Sequence, residues 1–471
     1  MEQNQKTRLS PKQRRLRRRK WNELRWSALS VLVLTVVFFG IAAFLLVFPR
    51  PDESQLEKRK LAQFPAFSLK SYFSGDFTGG ITEFYDDTVP YRDSFKNAGN
   101  QLRSLLGLRN SKDTITIINN DIVAENMNAK PQKPTDASAS GDTSTEPTEP
   151  APTEEPTQHD YTGDEAEVSM SNGLMIVNQD DHWKCLPLFG GGSGSAYIEA
   201  LNTLQEKLGD GVKIYSMPAP LSSQFYVPSN AADSSADQSK CFAKIAEQLD
   251  SRITSIDLCP VLAKHTEEPI YCRTDHHWQP LGAYYACRTF AEAAGVPFAE
   301  LEQYKKGVNE GYVGTMYAFT DDARLLNDPE DFIYYEPTCD YKAYYYSTDF
   351  TYRYDGDLFA DVDTANSYLM FMGSDELTVK VNTSVKNGRK LLVIKDSYGN
   401  AEIPFYTSSF EQIYVVDMRY FERNLVDFIQ TTGVTDVLFT MCSYSVVGVN
   451  ADGLMDLITQ DAGNPIVDEQ P

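Results

Sequence analysis

Residues 389–406 read RKLLVIKDSYGNAEIPFY, and the fold of the chain follows from them. LLVIK at 391–395 has the near-continuous apolar character of a strand buried on both faces, as in a parallel sheet covered by helices. Asp396-Ser397 then falls on a turn, and a helical segment is expected over 398–409. A serine at the carboxyl end of such a strand sits where α/β enzymes carry nucleophiles and ligands. Backbone N–H groups in the first turn of a helix lack partners, so those near Ser397 are candidate oxyanion donors. The plainer alternative is that Asp396 or Ser397 only caps the helix.

Working outward, IYVVD (413–417) and VLFTM (437–441) repeat the buried-strand pattern, with a helical segment expected at 420–432 between them. Upstream, 211–216 and 254–258 read as strands, 269–272 as a short one, and 235–253 and 279–294 as helices. Strands alternating with helices predict an α/β class with a parallel sheet wrapped by helices. Residues 301–390 interrupt the pattern with a Tyr-rich, hairpin-like insert whose strand core is YKAYYYSTDFTYRYDGDLF at 341–359. The seven cysteines are scattered without a CxxC pair, which leaves no zinc-site spacing and reads as buried small apolar residues, although Cys259 and Cys272 are a conceivable pair.

The second chemical signal is YCRTDHHWQPLGAYYA at 271–286. In an extended segment side chains at i and i+2 share a side, so Asp275 and His277 are natural partners and His276 is expected to face away. A carboxylate on one imidazole nitrogen fixes the tautomer and leaves the other nitrogen free as a base. Alone, Asp-x-His more often marks a hydrogen-bonded histidine at a strand end. With a Ser-tipped strand elsewhere, it supplies the division of labour that nucleophilic acyl transfer needs. A decoy, Asp180-Asp181-His182-Trp183, follows an apolar strand, leads into a hairpin and lacks the helix that follows Trp278. A metal site from His276, His277 and Asp396 has no supporting Glu-x-x-His or Cys cluster, so no metal or other cofactor is expected.

Charge is uneven along the 471 residues. Net charge is −23, yet residues 1–25 carry ten Lys or Arg against Glu2 and Glu23. The acidic remainder argues against nucleic-acid binding by the main domain. The 22 residues 27–48 contain no charge. At about 1.5 Å per residue they reach roughly 33 Å, enough for a bilayer core. The run is longer than a signal-peptide core and ends in FPRP without a small-x-small cleavage site, which favours a retained signal anchor. The expected order is therefore a cytoplasmic basic tail (1–26), a single transmembrane anchor (27–48) and an extracytoplasmic remainder. Within that remainder lie a juxtamembrane part (49–128), a disordered Pro/Thr/Glu-rich insertion (129–167) and the main domain (168–471).

TDHHW followed by the strand-KDSYGN segment resembles the DHHW protein family, which is similar to the SGNH-hydrolase-like proteins of alginate O-acetylation. EKRKLAQFP (57–65), FSGDF (73–77), VPYRDSF (89–95), YSMPAP (215–220), IYVVDMRYF (413–421) and TDVLFTM (435–441) recur in the same order. The resemblance implies a three-layer SGNH-like fold whose motif order is circularly permuted, with Asp275 and His277 ahead of the nucleophile Ser397. It implies a membrane-anchored O-acyltransferase, moving acetyl groups onto an exported polysaccharide, or an acetylesterase with the same residues. A separate membrane-bound acyltransferase is the implied acyl donor. The contrasting reading is an inactive glycan-binding or assembly protein of the same fold. Tyr398 and Asn400 are candidates for the oxyanion pocket, and Arg419 and Tyr420 for substrate hydroxyls.

Overall fold

The computed structural model describes residues 165–461, apart from 172 and 349, together with 59–91, apart from 75, and residues 35, 39, 40, 48–50, 53 and 54. The basic tail, most of 27–48, the helix and strand expected at 92–106 and 114–118, and 129–164 lie outside the described residues. Among the described residues no helix is long and apolar enough to cross a membrane.

The chain forms two compact units, Met1–Leu102 and Arg103–Pro471. In the first, helices Leu69–Ser74 and Asp76–Asp87 are joined by an aromatic cluster. Phe64 meets Phe77 and Phe84 edge-on, and Phe67 meets Phe77 the same way. Arg50 donates to the carbonyl and hydroxyl of Thr88.

Among the described residues of the second unit the first elements form a hairpin sheet, β1 (Val168–Ser171), β2 (Leu174–Gln179) and β3 (His182–Pro187). The turn between β2 and β3 is Asp180-Asp181, both in the left-handed region at φ 56° and 62°, where a short polar side chain is best tolerated. The main sheet has eight strands. In chain order these are β4 (Lys213–Ser216), β5 (Thr254–Ser255), β8 (Tyr341–Tyr346), β9 (Arg353–Gly356), β10 (Thr378–Thr383), β11 (Lys390–Lys395), β12 (Gln412–Asp417) and β13 (Asp436–Thr440); β6 (Lys305–Tyr312) and β7 (Glu330–Glu336) pair separately. Across the main sheet the order is β9-β8-β10-β12-β11-β13-β4-β5. The pairs from β12 to β5 are parallel, whereas β8, β9 and β10 of the insert add an antiparallel wing. The parallel sheet expected from sequence is thus a mixed one.

Side-chain alternation shows the three layers. Phe439 of β13 and Ser216 of β4 both meet Tyr197 on helix α1 (Ser195–Leu208). Tyr215, one residue along β4, points the other way and meets Phe290 on helix α3 (Pro280–Ala294). Both faces of β11 are covered, so Leu391, Leu392, Val393 and Ile394 are all fully buried. Full burial of one such side chain contributes about 1.5–3 kcal/mol. The helix expected over 235–253 is the shorter α2 (Gln238–Ala246), started by Asp237 accepting from Lys240 N–H. All seven cysteines are free thiols, Cys259 and Cys272 among them, and six are buried.

Candidate active site

β11 delivers Asp396 and Ser397 to the carboxyl edge of the sheet. Asp396 is the cap: one carboxylate oxygen accepts from Tyr398 N–H at 2.9 Å and the other from Cys442 N–H at 2.9 Å. Its carboxylate thereby ties the end of β11 to the segment leaving β13, and Ser397 is left for another partner. The segment expected to be helical is a 3-10 turn, Ser397–Glu402, followed by the short helix Ile403–Tyr406. Tyr398 N–H is taken by the Asp396 carboxylate and Gly399 N–H by the Asp396 carbonyl. These two backbone groups are therefore not the open oxyanion donors anticipated from an α-helical start.

The short strand expected at 269–272 is reduced to an isolated bridge of Tyr271 with Trp278, and 273–277 form a bend. Asp275 Oδ1 accepts from His277 N–H at 3.1 Å and lies 2.7 Å from His277 Nδ1. His277 Nε2 lies 2.8 Å from Ser397 Oγ, across 120 residues of sequence. Asp275 is 1% exposed, His277 6% and Ser397 9%, so the three meet largely shielded from water. In the bend both imidazoles turn to one carboxylate, with His276 Nδ1 3.5 Å from Asp275 Oδ1. His276 was expected to face away; instead its ring lies against that of His277, centroids 3.8 Å apart.

Residues outside both motifs hold this arrangement, together with Trp278. Asp275 Oδ2 accepts from Tyr312 OH at 2.8 Å, Thr315 N–H at 2.8 Å and Thr315 OH at 3.0 Å. Gly314 permits that approach, because a Cβ there would come within 2.4 Å of Asp275 Cβ. Tyr368 stacks flat on His277, centroids 3.7 Å apart and planes 8° apart, while its hydroxyl lies 3.0 Å from the carbonyls of both Ser397 and Tyr398. The buried Glu330 carboxylate accepts from Arg273 N–H, Thr274 N–H and Thr274 OH, fixing the bend from behind. Trp278 is fully buried and its indole N–H donates to Tyr398 O at 3.0 Å, so the motif's last residue docks the bend on the serine turn.

The electrostatics suit a charged Asp275 beside a neutral His276. Burial pushes Asp275 upward, but His277, His276 and the hydrogen bonds outweigh it and hold the carboxyl well below the ordinary range. Burial, with His277 adding to it, lowers His276 to about 3. Asp275, His276 and His277 are a cluster of metal-capable groups with ligand atoms within 4.8 Å of one another. A cation shared by them would occupy the carboxylate oxygen that orients His277, so it competes with the hydrogen-bonded arrangement. Asp396, the other residue considered for a metal, is committed to Tyr398 and Cys442.

The remaining candidates divide. Tyr398 is fully buried with its hydroxyl donating to His276 O, so it packs the site rather than lining an oxyanion pocket. Asn400 donates to Asp375 at 2.7 Å, and its carbonyl oxygen is buried without a partner. Arg419 grips Asp417 and Asp375, and Lys395 bridges the same two carboxylates at 2.9 Å each. Arg419 is thus built into an ion cluster under the serine turn, with the half-buried Tyr420 ring 5.3 Å away. The decoy His182 is far from the serine in function: its side chain is 55% exposed and pairs with Asp328.

Together these features define a three-layer α/β/α protein with an Asp-His-Ser constellation at the carboxyl edge of its parallel strands. The chain belongs to the DHHW protein family, whose profile spans residues 57–416. Among solved structures it is similar to a DHHW family protein from Eubacterium siraeum, at 45% identity and a TM-score of 0.60, covering 62% of this chain and 97% of that one. It is also similar to Bacillus cereus PatB1 with a sulfonyl adduct, at 19% identity and a TM-score of 0.49 over 61% of this chain and 97% of that one. A third similarity is to the O-acetyltransferase domain of Pseudomonas putida AlgJ, at 13% identity and a TM-score of 0.35 over 63% and 100%. No curated protein matches the chain.

Proposed function

We propose that this protein is a membrane-anchored O-acyltransferase that moves acetyl groups onto an exported cell-surface polysaccharide. The observation that carries the reading is the 2.8 Å approach of His277 Nε2 to Ser397 Oγ with Asp275 on the other ring nitrogen. Ser397 attacks the acyl carbonyl as His277 takes its proton, and Asp275 stabilises the imidazolium that forms. His277 then protonates the leaving group, and a sugar hydroxyl attacks the acyl-serine ester with His277 again as base. Water in place of the sugar makes the same residues an acetylesterase. Acetyl as the group and polysaccharide as the acceptor are supported by the motif resemblance to alginate O-acetylation proteins. The basic head before an uncharged run supports an anchor with the main domain outside, fed by a membrane-bound acyl donor protein. The test is chromosomal replacement of Ser397 by Ala, followed by measurement of alkali-labile acetate on the surface polysaccharide. Loss of that acetate is expected. Undiminished acetate with bound polysaccharide would instead identify a binding protein.

A further inference from the structure

His276 is the residue of the Asp275–Trp278 run that the acyl-transfer chemistry above does not use. Its Nδ1 lies 2.8 Å from Thr315 Oγ1, which lies 3.0 Å from Asp275 Oδ2. An ionised carboxylate only accepts, so the single hydroxyl proton of Thr315 goes to Asp275. The Thr315 oxygen must then accept from His276 Nδ1–H. A neutral imidazole carries one N–H, so His276 Nε2 is left as a bare acceptor, and it is buried without a hydrogen-bond partner.

The direction of that acceptor follows from the packing. His276 and His277 lie with centroids 3.8 Å apart, their Nδ1 atoms 3.5 Å and 2.7 Å from the same carboxylate oxygen. The rings are tilted by 37°, and with both Nδ1 atoms toward one oxygen each Nε2 lies on the side of its ring away from Asp275, the side on which His277 meets Ser397. Asn400 begins the next step of the 3-10 turn, three residues after Ser397, where side chains eclipse. Its Oδ1 is a second buried acceptor without a partner. A buried acceptor left without a donor destabilises a folded protein. These two atoms call for a donor that the chain itself does not supply.

We propose that His276 Nε2 accepts a hydrogen bond from a second hydroxyl of the incoming acceptor, which makes the site selective for a vicinal diol of a sugar over a monohydric alcohol. This rests on the acyl-transfer reading. One hydroxyl attacks the acyl-Ser397 carbonyl and its proton passes to His277 Nε2. The bond from the carbonyl carbon to Ser397 Oγ breaks, and Ser397 Oγ recovers the proton from His277. The neighbouring hydroxyl stays intact and donates to His276. His276 is a positioning residue in this scheme, acting on which alcohol is held rather than on the bonds that change.

The matched probes are vicinal trans-cyclohexanediol and cyclohexanol, with p-nitrophenyl acetate as acyl donor to the full-length protein. The readout is the ratio of diol ester to monoalcohol ester formed, which is independent of how fast the acyl-enzyme forms. One net hydrogen bond predicts a wild-type preference for the diol of roughly fivefold to tenfold, corrected for its two hydroxyls. His276→Phe should abolish the preference, and His276→Gln, which keeps a donor for Thr315 and a carbonyl acceptor, should restore part of it. Equal use of both alcohols by wild-type protein overturns the inference without recourse to any variant. So does a His276→Phe protein that keeps the ratio, or one in which only hydrolysis falls, since the acceptor then serves water. Absence of an acyl-enzyme at Ser397 overturns the acyl-transfer reading itself.

Discussion

Replacing Asp275 by Asn tests the orienting role with little change of shape. The carboxylate accepts from five donors, His277 Nδ1 and N–H on one oxygen and Tyr312 OH, Thr315 N–H and Thr315 OH on the other. An amide must place an NH2 group at one of those oxygens, and each faces a backbone N–H that cannot turn round. At the Oδ1 position it also forces His277 into the tautomer that cannot accept the serine proton. At the Oδ2 position the two hydroxyls can rotate, and only the Thr315 N–H conflict remains. The second arrangement is cheaper, yet it still leaves a donor unsatisfied and removes the charge from the other bonds, which together costs about 2–4 kcal/mol. Asp275 is held below its ordinary range, so its contribution is complete above the unfolded carboxylate value of about 3.9 and is lost as pH falls through the folded one. At neutral pH the wild-type protein therefore has the full benefit. The assay is the second-order rate of fluorophosphonate labelling at Ser397, taken well below the variant's melting temperature. A fall of roughly 10²- to 10⁴-fold is expected, the range spanned by losing the charge alone and by losing the tautomer. A folded Asp275→Asn protein labelled within about threefold of wild type would show that the carboxylate does not orient His277.

Lys395→Met removes one cation from the buried cluster with Asp375, Asp417 and Arg419. Leaving a buried carboxylate short of its partner should cost about 3–5 kcal/mol in urea unfolding, and a change under about 1 kcal/mol would contradict it. Glu402 is pushed up to about 8 by burial although Thr440 and Tyr406 donate to it. The folded state then binds more protons than the unfolded one between about 4.3 and that value, so this group's contribution to stability falls as pH rises. Glu402→Gln should flatten that slope in melting curves across the same window. His182→Ala should keep Ser397 labelling close to wild type, because its partner is Asp328 and not the serine.

Local signals carried much of the architecture. LLVIK, IYVVD and VLFTM are neighbouring parallel strands, and because both faces of that part of the sheet are covered each reads as a plain apolar run without alternation. The helix expected over 279–294 is α3 nearly to the residue, with Pro280 opening it and Gly295 closing it. Asp275, His277 and Ser397 were legible as a set through their residue types and neighbours, and the fold brings the three together. What holds them was not legible. Tyr312, Thr315, Glu330 and Tyr368 come from the Tyr-rich insert, and each reaches the site by chain return rather than by any period in its own segment. The glycine before Thr315 was the one local trace, and nothing in the sequence tied it to Asp275. The misreading of His276 has a similar cause. Alternation holds for an extended strand, whereas Asp275 accepting from His277 N–H closes a turn that brings both rings to one side. Asp396 likewise looked interchangeable with Ser397 as a cap until its second oxygen met Cys442.

Acyl transfer at this site requires Ser397 to be an activated nucleophile. Intact-protein mass spectrometry after brief exposure to p-nitrophenyl acetate, followed by peptide mapping, tests it most directly. One added acetyl group per chain is expected, mapped to Ser397, absent from Ser397→Ala and strongly reduced in His277→Ala. A folded wild-type protein that gains no acetyl group at Ser397, or gains it equally in the His277→Ala variant, would contradict it.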